Sequence, residues 1–264
     1  MNNVNKTLYI PLYGKSYVSQ KGIILQDKQA EKIWAAEGFS LKGKAKSKWL
    51  AYYMGMRSAV FDHWIIKQLS QIPEAIVLHI GCGLDSRCLR ISSSIQAWYD
   101  IDFPEVIAER KRFFQETDTY HMLGTDARTL DLQASIPHSN HAIIVMEGLS
   151  MYMPLNELQA LLGQLTSHFT NVKLLFDCYS EFAAKASKYK NPINEVGVTK
   201  VYGIDDPLVL TKNTGLRFVQ KHIMTPDYMI HQLDKTEQFV FKKLYSGKIA
   251  DKMYRLYEYT KEQH

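Results

Sequence analysis

Cysteine is scarce in this chain: there are three in 264 residues, and no two form a Cys-x-x-Cys pair. That spacing supports neither a disulfide framework nor a thiolate zinc site, so Cys82, Cys88 and Cys178 read as small buried side chains and no metal is expected. Long apolar runs are missing as well. Stretches such as Ala142 to Met146 fall far short of the ~20 residues that a membrane-spanning helix requires, which excludes a membrane partner. Eight prolines and fourteen glycines are too few for a linker-dominated or low-complexity chain. Met1 to Lys6 place no apolar segment behind their basic residue, so no secretory signal is legible. A cytoplasmic protein is the expectation.

Charge of either sign is not in large excess. Against 32 Lys and Arg stand 27 Asp and Glu, a net charge of +5, with 46% hydrophobic residues, so the composition is that of an ordinary globular protein. The basic bias is local. Residues 1–57 carry ten Lys or Arg against Asp27, Glu31 and Glu37, and Lys42, Lys44, Lys46 and Lys48 alternate within that segment. Two readings stand side by side: a solvated loop, or a positive rim that draws in an anionic substrate. Within the Lys42–Lys48 run no aromatic residue is interleaved that could stack on bases, so nucleic acid is not expected as a partner. No internal repeat and no Ser/Gly/Pro-rich linker divides the chain, and a single domain over 1–264 is expected.

Apolar residues recur at helical spacing over Gln26 to Glu37 and over Trp49 to Leu69, so the first seventy residues read as helices. After Pro73 the pattern changes. Ala75 to Ile80 is a short β-branched run ending at Gly81-Cys82-Gly83, as for a buried strand delivered into a tight turn. Further strands are predicted over 97–102, 120–123, 141–146 and 173–178, with helices over 105–116 and 155–169. Strands spaced by helices of this length specify an α/β protein with a mainly parallel sheet. Two final strands are predicted over 216–224 and 253–259.

Ligands of open parallel sheets sit beyond the carboxyl ends of the strands, near the point where strand order reverses. The first strand delivers Gly81 and Gly83, where bare backbone can turn sharply and approach a ligand closely. The second delivers Asp102, twenty-one residues after Gly81, a carboxylate able to accept both hydroxyls of a ribose. The third delivers Asp126 and Ala127, an acid for an adenine amino group and a neighbouring N–H for a ring nitrogen; the fourth delivers Glu147. Singly each is weak, since an acid after a strand is often an N-cap. Together they describe a nucleoside pocket. A dinucleotide fingerprint wants Gly or Ala where Ser86 stands, and Asp85 would repel a pyrophosphate. S-adenosylmethionine carries a sulfonium and no phosphate, and suits an acid-rich pocket better.

The motifs His-Ile-Gly-Cys-Gly-Leu-Asp-Ser-Arg (79–87), Trp-Tyr-Asp-Ile-Asp-Phe-Pro-Glu-Val-Ile (98–107) and Met-Glu-Gly-Leu-Ser-Met-Tyr-Met-Pro (146–154) resemble the leucine carboxyl methyltransferase family. That family includes O-methyltransferases of tetracenomycin-type polyketide pathways. The resemblance runs from about Tyr13 to the end of the fifth strand. It implies a class I, Rossmann-like methyltransferase with a seven-stranded doubly wound sheet over 73–264, and a helical lid over 1–72. It implies that Arg57 and Lys15 pair with the methionine carboxylate of the cofactor, that Gly81 and Gly83 face its amino-acid portion, and that Asp102 binds the ribose. Asp126 and Ala127 would contact the adenine, Glu147 would lie near the amino end of the methionine moiety, and Tyr152 would orient the acceptor. The structural alternatives are an Arg57–Asp62 bridge, an Arg87–Asp85 pair that tightens the turn, a core Tyr152 and a core His79.

A carboxylate acceptor is ionised near neutral pH and needs no general base, whereas a phenol with a pKa of ~10 does. With no evident His/Asp base at the strand ends, a small-molecule or peptide-terminal carboxylate is the expected acceptor, with a hydroxyl next. The fourth strand lacks the Asn/Asp-Pro-Pro-Tyr/Phe sequence of amino-group methyltransferases. The rival functions are a nicotinamide-dependent oxidoreductase and a non-catalytic cofactor-binding partner protein.

Overall fold

The computed structural model describes residues 8–37, 41, 43–91, 95–187 and 200–262; of the lysine run, Lys42 and the side chain of Lys44 lie outside this description. Three helices come first: α1 (Tyr9–Gln20), α2 (Lys28–Glu37) and α3 (Lys48–Gln71). Asp27 caps α2, its Oδ1 accepting the Ala30 amide at 2.8 Å. The α/β alternation follows as β1 (Ile76–Ile80), α4 (Arg87–Arg90), β2 (Ala97–Asp102), α5 (Pro104–Arg110), β3 (Tyr120–Gly124), α6 (Leu132–Ser135), β4 (His141–Met146), α7 (Leu155–His168) and β5 (Asn171–Tyr179). The remainder is α8 (Glu181–Ala186), β6 (Arg217–His222), α9 (Asp227–Ile230), α10 (Lys235–Tyr245), α11 (Gly247–Met253) and β7 (Tyr254–Lys261).

The seven strands form one sheet in the order β3-β2-β1-β4-β5-β7-β6. Strands β1 to β5 are parallel, and β7 runs antiparallel to both of its neighbours. Because β1 pairs with both β2 and β4, the chain winds outward on one side of β1 and then returns to the other. The crevice for a ligand therefore opens above β1 and β4.

Alternate residues of the central strands face opposite layers. Ile76, Leu78 and Ile80 pack with Ile144, Met146 and the α7 leucines Leu158, Leu161, Leu162 and Leu165. Val77, Ile143 and Val145 turn the other way, onto Phe61, Trp64, Ile65 and Leu69 of α3, Leu12 of α1 and Ile33 of α2. The N-terminal helices are thus part of the main core, and the same burial holds α1 against the strand ends. Among the described residues, no helix is long and apolar enough to cross a membrane.

One predicted helix is too long. The pattern over 105–116 predicts a single helix, but α5 stops at Arg110. Arg110 is fully buried and binds Asp100, and the chain turns immediately afterwards so that Phe114 packs under its guanidinium, 4.0 Å from ring centre to Cζ. Of the lysine run, Lys46 is exposed and Lys48 pairs with Glu237 at 2.8 Å.

Candidate active site

The turn after β1 sets the floor of the site. Gly81 and Gly83 have φ of +75° and +52°, a conformation that side chains with a Cβ rarely adopt. A Cβ on Gly81 would also come within 3.1 Å of the Leu149 side chain. Asp102, at the end of the neighbouring β2, reaches this turn: its Oδ2 accepts the Gly83 amide and its Oδ1 the Phe103 amide, both at 2.8 Å. Burial raises its carboxyl above the usual range against those two amides. A carboxylate has about four acceptor positions, so two are left for a diol.

Around that floor runs a buried ion network. Lys15 of α1, 2% exposed, sits 3.2 Å from Asp85 in the turn. Arg87 bonds Asp62 at 2.7 Å, Asp85 at 3.3 Å, and Glu147. Arg90 bonds Asp62, Asp85 and Asp27 at 2.7, 2.8 and 2.5 Å. Arg57 of α3 holds Glu147 at 2.9 Å and Asp177 at 3.0 Å, and donates to the Tyr254 hydroxyl at 3.1 Å. Burial alone would raise Glu147, yet Arg57 and Arg87 beside it bring its carboxyl down to about 2. Asp85 likewise lies well below the usual range despite burial, because Arg87, Arg90 and Lys15 surround it. Clusters of buried, mutually shifted charges of this kind are costly unless paired, and they concentrate at functional sites.

The cavity at the strand ends is lined by Lys15, Arg57, Gly81, Gly83, Asp102, Glu147 and Tyr152, seven of the residues singled out in the sequence. Its other walls are largely apolar and aromatic, including Ile10, Met54, Leu149, Met151, Tyr179 and Tyr254. Tyr152 closes a short 3-10 turn (Ser150–Tyr152) that follows β4. Asp126 and Ala127 are not in the cavity lining. They follow β3 on the same sheet edge, where the adjoining Thr125 amide donates to the Asp102 carbonyl at 2.8 Å, and the Asp126 carboxylate is held by Arg128 at 2.9 and 3.0 Å.

The alternative partner for Arg57 is corrected: Asp62 binds Arg87 and Arg90, while Arg57 turns to Glu147 and Asp177. The Arg87–Asp85 pair is present. His79 is buried in β1, its Nε2 accepting from Arg87 at 3.1 Å and its Nδ1 3.2 Å from Asp100. Sequence reasoning missed Asp177 and Tyr254. Asp177 lies near the end of β5, and the rule that selected Asp102 and Glu147 at their strand ends applies to it as well.

The fold is that of the class I methyltransferases. Magnesium protoporphyrin IX methyltransferase from Synechocystis, solved with S-adenosylhomocysteine, superposes with a TM-score of 0.53 at 12% identity, covering 94% of this chain and 97% of that one. An S-adenosylmethionine-dependent methyltransferase from Clostridium acetobutylicum gives 0.51 at 10% identity, covering 76% and 91%. Within that fold, residues 6–166 match the leucine carboxyl methyltransferase model, and the chain belongs to that family. It is 30% identical over 206 residues to the tetracenomycin polyketide synthesis O-methyltransferase of Streptomyces glaucescens, covering 77% of this chain and 76% of that protein. It is 23% identical over 254 residues to the S-adenosyl-L-methionine-dependent methyltransferase dpfgK of Gibberella zeae, covering 86% and 85%. The protein is an S-adenosylmethionine-dependent methyltransferase, and the nicotinamide reading is set aside.

Proposed function

We propose that this methyltransferase acts on oxygen, and that its acceptor is a carboxylate of a small molecule or a peptide terminus. The observation that carries the reading is the engagement of the acids and the imidazole at the cavity. Asp85 is tied to Lys15, Arg87 and Arg90, Glu147 to Arg57 and Arg87, and Asp102 to two amides, while His79 accepts from Arg87. Asp85 and Glu147 are held ionised by the cations around them, and in this reading the remaining acceptor positions of Asp102 are committed to the ribose, so none of these acids is left to take a proton from the acceptor. A carboxylate acceptor needs none taken, because it is ionised at neutral pH, and orientation with exclusion of water supplies the acceleration. The O-methyltransferase activity in the name of the Streptomyces relative agrees with oxygen as the acceptor atom.

The residues fit the cofactor. The left-handed backbone at Gly81 and Gly83 turns the chain sharply at the cavity floor, and Asp102 keeps acceptor positions for the ribose. In this reading Arg57 and Lys15 hold the methionine carboxylate, Gly81 and Gly83 lie against the amino-acid portion, and Glu147 holds the amino end. Asp126 and Ala127 meet the adenine at the edge of β3. When bound, S-adenosylmethionine would supply an electrophilic methyl group to the acceptor oxygen and would be left as the neutral thioether. The helices over 8–72, which line the cavity through Ile10, Lys15, Met54 and Arg57, act as the lid that excludes water. Tyr152 orients the acceptor.

The test is methyl transfer from radiolabelled S-adenosylmethionine to a panel of carboxylic acids, phenols and amines. Label released as methanol on mild alkaline hydrolysis supports an ester. Label stable to alkali on a phenol or an amine overturns the carboxylate assignment. Tyr152→Phe should leave cofactor affinity within about twofold while raising the KM for the acceptor.

A further inference from the structure

Part of the basic segment ahead of α3 lies beside the cavity. Between α2 and α3 the chain makes a short 3-10 turn (Gly43–Lys46). Its Ala45 is buried with Leu41 and Ile10 in a small apolar cluster, and Met54, Tyr152 and Tyr179 pack on that cluster. Ile10, Met54, Tyr152 and Tyr179 also line the cavity, so the turn backs its apolar wall. The Tyr13 hydroxyl fastens the turn by donating to the Lys46 carbonyl at 3.3 Å. A second segment reaches the same place. Val201 packs on the cluster, the Tyr202 amide donates to the Met151 carbonyl at 2.8 Å, and Gly203 bridges to Tyr179. Each segment sets an exposed lysine next to its packed residue: Lys46 follows Ala45, and Lys200 precedes Val201. Lys48 is neutralised by Glu237. Among the described residues no carboxylate lies within ion-pair distance of Lys46 or Lys200, and the Lys200 ammonium rests 5.2 Å from the centre of the Tyr202 ring. The acids nearest in the second segment have other partners. Glu181 pairs with Lys185, Asp205 pairs with Arg255, and Asp206 accepts the Leu208 amide in the turn beyond.

We propose that Lys46 and Lys200 form a basic rim that captures the acceptor carboxylate, so that these two residues set the preference for an organic acid with an apolar body. The inference rests on the reading that the acceptor is a carboxylate. The cations inside the cavity are not suited to that task. Lys15 and Arg57 are each held by buried acids and, in that reading, by the carboxylate of the cofactor. A cation bonded to the attacking oxygen would also draw off the electron pair that has to form the new bond. Attraction from the rim avoids both difficulties. It raises the local concentration and the encounter rate of an anion without touching the reacting atom. The apolar wall of Ile10, Met54 and the tyrosines then receives the body of the molecule. Because both lysines are exposed, the attraction is screened by salt.

The test is steady-state methyl transfer by the full chain at saturating S-adenosylmethionine. Its probes are hydrocinnamate, a small acid, and N-acetylphenylalanine, a mimic of a peptide terminus, each with its methyl ester as a neutral competitor. Between about 0.02 M and about 0.5 M salt, kcat/KM for the acids should fall about fivefold or more, while inhibition by the esters shifts by less than about twofold. The double variant Lys46→Gln with Lys200→Gln should raise the KM for the acids about threefold or more at low salt and flatten the salt dependence. Its kcat and its affinity for S-adenosylmethionine should stay within about twofold of the unmodified protein. Lys212→Gln removes a like charge beside Asn213, at the carboxyl end of α7 and so at the opposite end of the sheet, and should change none of these values. If an acid is methylated with the same KM by the double variant, the rim is refuted while the carboxylate reading stands. If the esters lose affinity as much as the acids, the two side chains only brace the wall, and the inference is overturned. If neither acid yields an ester, the carboxylate reading fails and takes this inference with it.

Discussion

Lys15 of α1 and Asp85 of the turn behind β1 are in contact at 3.2 Å with both side chains buried, so the first helix is tied by charge to the floor of the cavity. A second tie runs parallel to it: Asp27, just before α2, pairs with Arg90 at 2.5 Å. Helix α1, which lines the cavity, and the start of α2 are thus fastened to the turn and helix that follow β1.

Replacing Lys15 by Met keeps the aliphatic stem and removes the charge. Asp85 retains Arg87 and Arg90, so a partial loss is expected: about 1–3 kcal/mol in urea denaturation, together with weaker cofactor binding. A change under about 0.5 kcal/mol would show that the contact contributes nothing to stability.

Asp102→Ala should weaken S-adenosylmethionine binding by about 1–3 kcal/mol through loss of charge-assisted hydrogen bonds to the ribose. Titration calorimetry reads it directly, and unchanged affinity would falsify the ribose role.

At Gly81 an alanine meets two obstacles, a φ of +75° and the Leu149 side chain at 3.1 Å. Gly81→Ala is expected to cost about 1–3 kcal/mol of stability. Pairing it with Leu149→Ala should recover the steric part and leave the backbone part, which double-mutant denaturation separates.

Acid should loosen the protein in a defined window. Glu147 has a folded-state carboxyl near 2, below its ordinary value of 4.5. Its contribution is therefore fully present above about pH 5 and is lost as pH falls toward 2, because the unfolded chain binds the proton first. Asp85 and Asp100, also depressed by neighbouring arginines against their burial, add in the same direction. Asp177 is raised by burial, which Arg57 only partly offsets, and so acts in the opposite sense: its stabilising effect is present at low pH and fades as pH rises through its folded value. Denaturation midpoints measured from pH 7 down to pH 3 should fall, and Glu147→Gln should flatten that slope.

The strands were legible because their signals are local. A short β-branched run ending in Gly marks β1, and apolar or alternating segments mark the other six; β1, β2 and β4 match the expected spans to within a residue. Helix α1 was not delimited because its buried face carries Lys15, Ser16 and Ser19 beside Ile10, Leu12 and Val18, which breaks the apolar period. The stop of α5 was hidden for a similar reason: the residue that ends it is an arginine drawn into the core by Asp100. Site residues at strand ends could be found one strand at a time. Their partners could not, since Asp27, Asp62 and Arg90 meet only when α1 to α3 have packed on the sheet. Asp62 lies five residues beyond Arg57, about 140° around the helix, so a bridge between the two was geometrically unfavourable from the start.

The position of β7 carries one more consequence. It is made after β6 yet lies between β5 and β6, so among the described residues the strand that β6 pairs with is not present until residues 254–261 have left the ribosome. Until then the β5 edge stands open beside Asp177, and Arg57 lacks the hydroxyl of Tyr254. During synthesis, the pocket is finished from the back of the chain.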